Sequence, residues 1–252
     1  MVQNKRVIFK QVPQGLPKEG QDLVIESHDF DLEQSVPSGG AILKIHSISL
    51  DPYQRGRLRP ANIKSYSPAY TIGEPITNRA VATVVKSSND SYKEGDLVVG
   101  MLNFEEYAII EKAKLEKDIQ KIQNPYNLDP NIFLGALGMP GLTAYSSLYE
   151  IGKPKKGETI FVSAASGAVG QVVGQIAKHE GLKVIGSVGD DEKLAFIKNE
   201  LGFEGFNYKK EPTGDALRRL APDGIDIYYE NVCLTFEHLF ENCRADNQLG
   251  RW

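Results

Sequence analysis

Cysteine is nearly absent: Cys233 and Cys243 are the only two in 252 residues, so neither a disulfide framework nor a four-cysteine zinc lobe can be assembled. Histidine is scarce as well. His28, His46, His179 and His238 are scattered, and none stands at metal-ligand spacing from Cys, Asp or Glu, so no metal site is expected. His179, near the end of an expected helix, is accounted for by the helix dipole. There is no Gly-x-Ser-x-Gly turn, and no Ser-His-Asp constellation can be nominated for nucleophilic catalysis. Basic excess is missing too. With 29 Lys and Arg against 33 Asp and Glu the formal charge is -4, which offers no broad attraction to phosphate backbones or anionic lipid headgroups. No apolar run reaches bilayer-spanning length, and Val7-Ile8-Phe9 is too short for a signal-peptide core. Nucleic acid and membrane are therefore not expected partners, and a cytoplasmic location is expected. No internal repeat, low-complexity tract or block of like charge is present.

What remains is a globular composition, 41% hydrophobic and 25% charged, in a chain long enough for one large domain or two ordinary ones. The first half reads as strands and turns. Residues 22–30, 41–50, 76–85 and 97–101 are β-prone runs separated by Pro, Gly, Asn, Asp and Ser. Few long helical patterns interrupt them, which predicts an antiparallel β-rich domain over residues 1–125. From Asn131 the texture changes: Gly135, Gly138, Pro140 and Gly141 lead into a predicted helix over 142–149, stopped at Gly152-Lys153-Pro154.

Beyond it, strand and helix alternate: strand 159–163, helix 169–179, strand 183–188, helix 192–201, a short Phe206-Asn207-Tyr208, helix 214–220 and strand 225–229. Such alternation is the signature of a parallel sheet built from right-handed βαβ units, so the second half is expected to be doubly wound α/β. The apolar run Thr159–Ser163 feeds directly into Ala164-Ala165-Ser166-Gly167-Ala168-Val169-Gly170, and Val169, Val172, Val173, Ile176 and Ala177 then share one helical face. A diphosphate needs backbone N–H donors at a helix N-terminus with no side chains in the way, and small residues at the turn allow that approach. Glycine-rich turns also cap helices for conformational reasons alone. The strand–turn–helix order favours a dinucleotide, most naturally a nicotinamide one.

The end of the second strand of such a unit meets the adenosine ribose. Asp190, about 20 residues past the turn, is placed like the carboxylate that accepts from an NAD ribose. Lys193 argues the other way, since it could pair with a 2'-phosphate. Asp190, Asp191 and Glu192 are equally explained as favourable charge at the start of the next helix. On these residues alone NAD and NADP stay even.

The chain resembles the zinc-independent medium-chain dehydrogenase/reductases, in the branch of NADP-dependent alkenal double-bond reductases and prostaglandin or leukotriene B4 reductases. The residues that carry the resemblance are Leu50-Asp51-Pro52-Tyr53-Gln54-Arg55, Gly138-Met139-Pro140-Gly141-Leu142-Thr143-Ala144-Tyr145, the turn from Ala164 to Gly170, and Gly174-Gln175-Ile176-Ala177-Lys178. Asp191-Glu192-Lys193, Phe206-Asn207-Tyr208-Lys209 and Glu230-Asn231-Val232 complete it. The resemblance implies a chaperonin-10-like β-rich substrate domain (1–125) followed by an incomplete Rossmann doubly wound parallel sheet (126–232). It implies NADP(H) as cofactor: Gly167, Ala168, Val169 and Gly170 at the diphosphate, Lys193 and Tyr208 at the 2'-phosphate, Asn231 as a further contact, and Met139 with Thr143 beside the nicotinamide. Asp190 stands where the family often has Ser. Tyr53 is implied as a substrate-pocket residue. Each also has a plainer reading: Tyr53 packing a turn, Met139 filling a gap in the core, Tyr208 closing a strand.

The implied reaction is hydride transfer from NADPH to the β-carbon of an α,β-unsaturated aldehyde or ketone, then protonation at the α-carbon, with no metal. The implied partner is that small molecule; for a full-length member the family also admits a homodimer. A quinone reductase shares the fold and stays an alternative. After Val232 the family pattern of Gly-Gly and further Rossmann strands is replaced by Cys233-Leu234-Thr235-Phe236-Glu237-His238 and on to Trp252, so residues 233–252 are expected to be a tail foreign to the family. A strand order of 3-2-1-4-5-6 ended after strand 4 would leave an apolar open edge, with aggregation or poor folding as the expected result. An inactive nucleotide-binding fragment is accordingly the second reading.

Overall fold

The computed structural model describes residues 1–231. The chain divides into two compact units, one ending at Leu134 and the other beginning at Gly135.

In the first unit, β1 (Val2–Phe9) pairs antiparallel with β2 (Leu23–Phe30), Val2 opposite Phe30 and Phe9 opposite Leu23. Then follow β3 (Ala41–Ile48), a single-turn α1 (Tyr53–Arg57), β4 (Thr77–Ser87), β5 (Leu97–Asn103), β6 (Tyr107–Ile110), α2 (Lys112–Asp118) and β7 (Ile119–Lys121). The five strands from β3 to β7 form an antiparallel sheet in the order β6-β3-β4-β5-β7. Period-2 alternation decides which side is core: Ala80, Ala82 and Val84 of β4 point into a buried cluster with Leu43, Val98, Leu102, Ala108 and Ile110, sealed by Leu115 of α2. A second cluster of Phe9, Leu58, Tyr70 and Ile76 packs the segment after α1. This is the β-rich domain that the resemblance implied. The N-terminal strand begins at Val2 and carries the polar run from Gln3 to Arg6; Asn4 within it is fully buried, its Nδ2 donating to Tyr107 O and its Oδ1 accepting from the Glu106 and Tyr107 amides.

The second unit opens with α3 (Met139–Ser147), extended by a π-helical turn over Leu148–Gly152 and stopped by Lys153 in the left-handed region at φ 47°. β8 (Thr159–Val162), α4 (Gly170–His179), β9 (Lys183–Val188), α5 (Asp191–Asn199), β10 (Glu204–Asn207), α6 (Thr213–Leu220) and β11 (Ile227–Tyr229) then alternate without exception. The four strands are parallel, in the order β10-β9-β8-β11, which is the 3-2-1-4 portion of a Rossmann sheet. Both faces are covered, so the strands are apolar at successive positions. Ile160, Val162, Val184 and Val188 face Ala144, Leu148, Val173, Ala177 and Ile197, which places α3, α4 and α5 on one side. Phe161, Ile185 and Phe206 face Ala216 and Leu217 of α6 on the other. Among the described residues β11 pairs only with β8. The expected foreign tail, and Val232 before it, lie outside the described residues.

Candidate functional site

The turn after β8 is built by a left-handed residue and a missing side chain. Ala164 sits at φ 48°, a region an alanine enters only under constraint, and folds the chain back so that the Gly167 amide donates to its carbonyl at 2.9 Å. Gly170 starts α4 directly behind it. A Cβ there would lie 2.4 Å from the Ala164 carbonyl oxygen and 2.9 Å from Ala165 Cα, so only glycine allows the helix to begin so close to the strand. The turn is tied down on both flanks. The Ala165 amide donates to Ser187 O of β9 at 3.1 Å, and the Ser163 amide donates to Tyr229 O of β11 at 3.0 Å. Gly167 and Ala168 are exposed at the tip, Val169 is half-buried, and the amides of Ser166, Ala168 and Val169 are not spent on backbone carbonyls of the described residues. A helix N-terminus whose amides have no backbone acceptor among the described residues, at a turn of small residues, suits an anionic diphosphate, so the residues present fit such a group.

Asn231 lies against the same turn. Its amide donates to Ser163 Oγ at 2.7 Å and its Nδ2 to Ser163 O at 2.9 Å, which clamps the end of β11 to the residue just before Ala164. Ser163 escaped the sequence reading as a site residue; its position at the strand end, one step before the turn, was the only signal.

The other end of the cradle is the C-terminal tip of β9. Asp190 caps α5: its Oδ1 accepts from the Lys193 amide at 2.8 Å, and its Oδ2 lies 3.1 Å from Lys193 Nζ. These two contacts, the backbone one first, hold the Asp190 carboxyl below the usual aspartate range. The helix-start role that the sequence offered for Asp190 is therefore observed, and with it an ion pair to Lys193 that the sequence reading did not include. Tyr208 is exposed, and its hydroxyl hangs over Gly189, where a Cβ would meet it at 2.8 Å. Asp191 is engaged elsewhere, accepting from Asn207 Nδ2 at 2.8 Å and pairing with Lys210. Lys193, in the first turn of α5, and Tyr208, just after β10, thus both lie near the C-terminal tip of β9, with Asp190 three residues before Lys193, on the same parallel sheet whose next strand carries the turn.

Met139 and Thr143 lie on consecutive turns of α3, both side chains exposed. The Thr143 carbonyl accepts from Ser147 Oγ at 2.6 Å, and Ser147 Oγ shares a 2.7 Å hydrogen bond with the buried Tyr229 hydroxyl of β11, so α3 is pinned to the sheet. Burial pushes the Tyr229 phenol up.

Tyr53 belongs to the first unit, on α1, half-buried. Its hydroxyl donates to Asn78 Oδ1 of β4 at 2.5 Å. Asn78 is buried, and both hydrogens of its amide are committed, one to Ser49 O at 2.8 Å and one to Asp51 Oδ2 at 2.7 Å. Both of those partners are obligate acceptors, so the amide orientation is fixed and its oxygen can only accept from Tyr53. Burial pushes the Tyr53 phenol up, with the nearby Arg57 guanidinium opposing the shift. Arg57 itself stacks on Tyr70, 3.9 Å from the ring centroid. Asn78 is a polar residue in an otherwise ordinary strand, and nothing in the sequence signalled it.

Among the described residues no group of three or more His, Cys, Asp and Glu could hold a metal ion, and no helix is long and apolar enough to cross a membrane.

An antiparallel β-rich unit followed by a dinucleotide-type 3-2-1-4 sheet defines a two-domain dehydrogenase or reductase. Comparison with known proteins agrees: the model for the N-terminal domain of oxidoreductases matches residues 5–117, and that for zinc-binding dehydrogenases matches residues 168–249, a span that runs on past Val232. The NADP-dependent oxidoreductase RED1 of Cochliobolus heterostrophus is 57% identical over 233 residues, covering 92% of this chain and 66% of that protein. The NADP-dependent 2-alkenal reductase of Nicotiana tabacum is 46% identical over 233 residues, with the same coverages. CurA of Vibrio vulnificus, solved in complex with NADPH, superposes with a TM-score of 0.85 at 32% identity, over 97% of this chain and 70% of that one. The chain belongs to the medium-chain dehydrogenase/reductase family. It spans 66% of the length of those two curated relatives.

Proposed function

We propose that the protein is an NADPH-dependent oxidoreductase that reduces the carbon–carbon double bond of α,β-unsaturated aldehydes or ketones. What carries the reading is the turn from Ala164 to Gly170, a strand-to-helix junction whose Ser166, Ala168 and Val169 amides are not spent on backbone carbonyls of the described residues, with a lysine and a tyrosine near the tip of the neighbouring strand. The NADP-dependent and alkenal-reducing relatives support the choice of cofactor and substrate class.

When bound, the dihydronicotinamide supplies the hydride. The chain supplies the rest. In this reading Gly167, Ala168, Val169 and Gly170 receive the diphosphate on backbone amides, Lys193 and Tyr208 take the 2'-phosphate, and Asn231 keeps the turn in register through Ser163. Met139 and Thr143 face the nicotinamide from the pinned helix α3. Tyr53 lines the substrate pocket, held in one orientation by the hydrogen bond that its hydroxyl donates to Asn78 Oδ1. The same reading takes the protein as cytoplasmic, and as a homodimer in full-length relatives.

The test is oxidation of NADPH followed at 340 nm with a 2-alkenal, an enone and a quinone as alternative acceptors. Turnover with the alkenal or enone and loss of it in Lys193→Ala is the expected result. Turnover confined to the quinone would overturn the substrate class. NADPH binding without turnover on any acceptor would overturn the catalytic reading in favour of a binding fragment.

A further inference from the structure

Lys193 is not a free cation waiting for a phosphate. It is already paired with Asp190, which also holds the first turn of α5. A dianionic 2'-phosphate must take the lysine from that carboxylate and then sit beside the carboxylate's own charge. The Asp190 carboxylate has lone pairs left after accepting from the Lys193 amide and ammonium, enough to take a hydrogen bond from a ribose hydroxyl. Its place at the end of the second strand is where a dinucleotide fold puts the group that reads the ribose.

We propose that Asp190 is a specificity-determining residue that makes this chain a dual-cofactor protein, binding NADH through the 2'-hydroxyl and NADPH only by exchange of Lys193 from Asp190 to the phosphate. The inference rests on the reading of the Ala164–Gly170 turn as a dinucleotide cradle. Lys209, whose positive charge also acts on Asp190, adds to the attraction for phosphate without being tied to the cap. Asp191 and Lys210 neutralise each other and contribute little to the balance. Asp190 therefore sets the preference, and it does so through one unit of charge at a half-exposed position. Neutralising such a charge beside a dianion changes affinity by about five- to tenfold at low salt, less as the ionic strength rises.

Two substitutions separate the charge from the cap. Asn and Ser both cap a helix as well as Asp does, so Asp190→Asn and Asp190→Ser keep the acceptor for the Lys193 amide and leave α5 intact. NADPH and NADH are titrated against the full chain by the fluorescence of the reduced nicotinamide, at low and at physiological salt, for the unaltered protein, both Asp190 variants and Lys193→Ala. Thermal melts check that each variant is folded. The expected result is binding of both cofactors by the unaltered chain. In Asp190→Asn and Asp190→Ser the ratio of Kd for NADH to Kd for NADPH rises at least fivefold, and in Lys193→Ala it falls, with the shifts shrinking as salt is added. A ratio that stays within twofold in both Asp190 variants overturns the inference, as does NADPH binding by the unaltered chain with no measurable affinity for NADH. Failure of both cofactors to bind a folded chain overturns the dinucleotide reading itself and this inference with it, an outcome distinct from either of the others.

Discussion

The Tyr53 hydroxyl is held by a buried relay whose removal has a calculable cost. Asn78 makes three hydrogen bonds, to Ser49 O, Asp51 Oδ2 and Tyr53 Oη, and is 1% exposed. Asn78→Ala removes them all and takes the partner from the Ser49 carbonyl and the Tyr53 hydroxyl, while Asp51 Oδ2 keeps the hydrogen bond from Ser49 Oγ. Each buried group stranded in this way costs about 1–3 kcal/mol, and water entering the gap recovers part, so a loss of about 3 kcal/mol is expected. Tyr53→Phe strands only the Asn78 oxygen and should cost about 1 kcal/mol. Because the chain has two compact units, a global unfolding curve mixes them. Hydrogen exchange of the β4 peptide, Thr77–Ser87, reads the first unit directly. At 1.4 kcal/mol per decade, the alanine variant should exchange about a hundredfold faster in that peptide and the phenylalanine variant about fivefold faster. Asn78→Asp sharpens the test, since it sets a second carboxyl against Asp51. Repulsion raises that carboxyl's pKa in the folded state above its unfolded value. A raised acid is penalised at pH values above the unfolded pKa and relieved below it, so the aspartate variant should be markedly weaker at pH 7 than near pH 4, by about 1.4 kcal/mol per unit of pKa shift. If β4 exchange accelerates less than fivefold in Asn78→Ala, and the aspartate variant shows no pH dependence, the amide is not fixed as described.

Three further outcomes follow from the geometry. Gly170→Val would press a branched side chain on the Ala164 carbonyl and Ala165, and should weaken NADPH binding at least tenfold in the same fluorescence titration while costing about 1–3 kcal/mol of stability; unchanged binding would detach the cofactor from this turn. Tyr229→Phe removes the 2.7 Å bond to Ser147 and should lower the second unit's stability by about 1 kcal/mol, seen as faster exchange in α3 rather than in β4. The Asp22 carboxyl lies below its usual range, first because Gln11 donates to it and then through the Lys18 amide. An acid with a lowered folded pKa stabilises above its unfolded pKa near 3.8 and loses that contribution as pH falls, so Asp22→Asn should flatten the acid limb of the stability profile and leave its neutral plateau lower.

The parallel sheet was legible because strands buried on both faces are written as short continuous apolar runs, such as Thr159–Val162 and Lys183–Val188, and the amphipathic helix between them repeats at 3.6 residues. Elements of the first unit were legible where alternation was long, as in β4, and lost where it was short. β6 and β7 span four and three residues, and α1 and α2 five and seven, too few for either period to show. The helix expected over 142–149 begins instead at Met139, since Pro140 suits a first helical turn and Gly138 opens it in extended conformation. At the candidate site the turn could be read from its small residues, whereas the pairing of Lys193 with Asp190 could not: charge at i and i+3 is equally the mark of a solvated helix start. Asn78 and Ser163 were beyond reach because what makes them matter is a partner at a sequence distance of 25 residues in one case and 68 in the other.

Ala164 keeps a methyl group where glycine would sit without penalty, at a conformational cost of about 1–2 kcal/mol. A glycine there would also give the unfolded chain and the empty turn more shapes to explore. The methyl therefore trades stability for rigidity: the loop has little freedom left to surrender when a ligand arrives, and association draws correspondingly less on the contacts it makes. Relaxing the turn with Ala164→Gly would make a more stable protein and a slacker receptor.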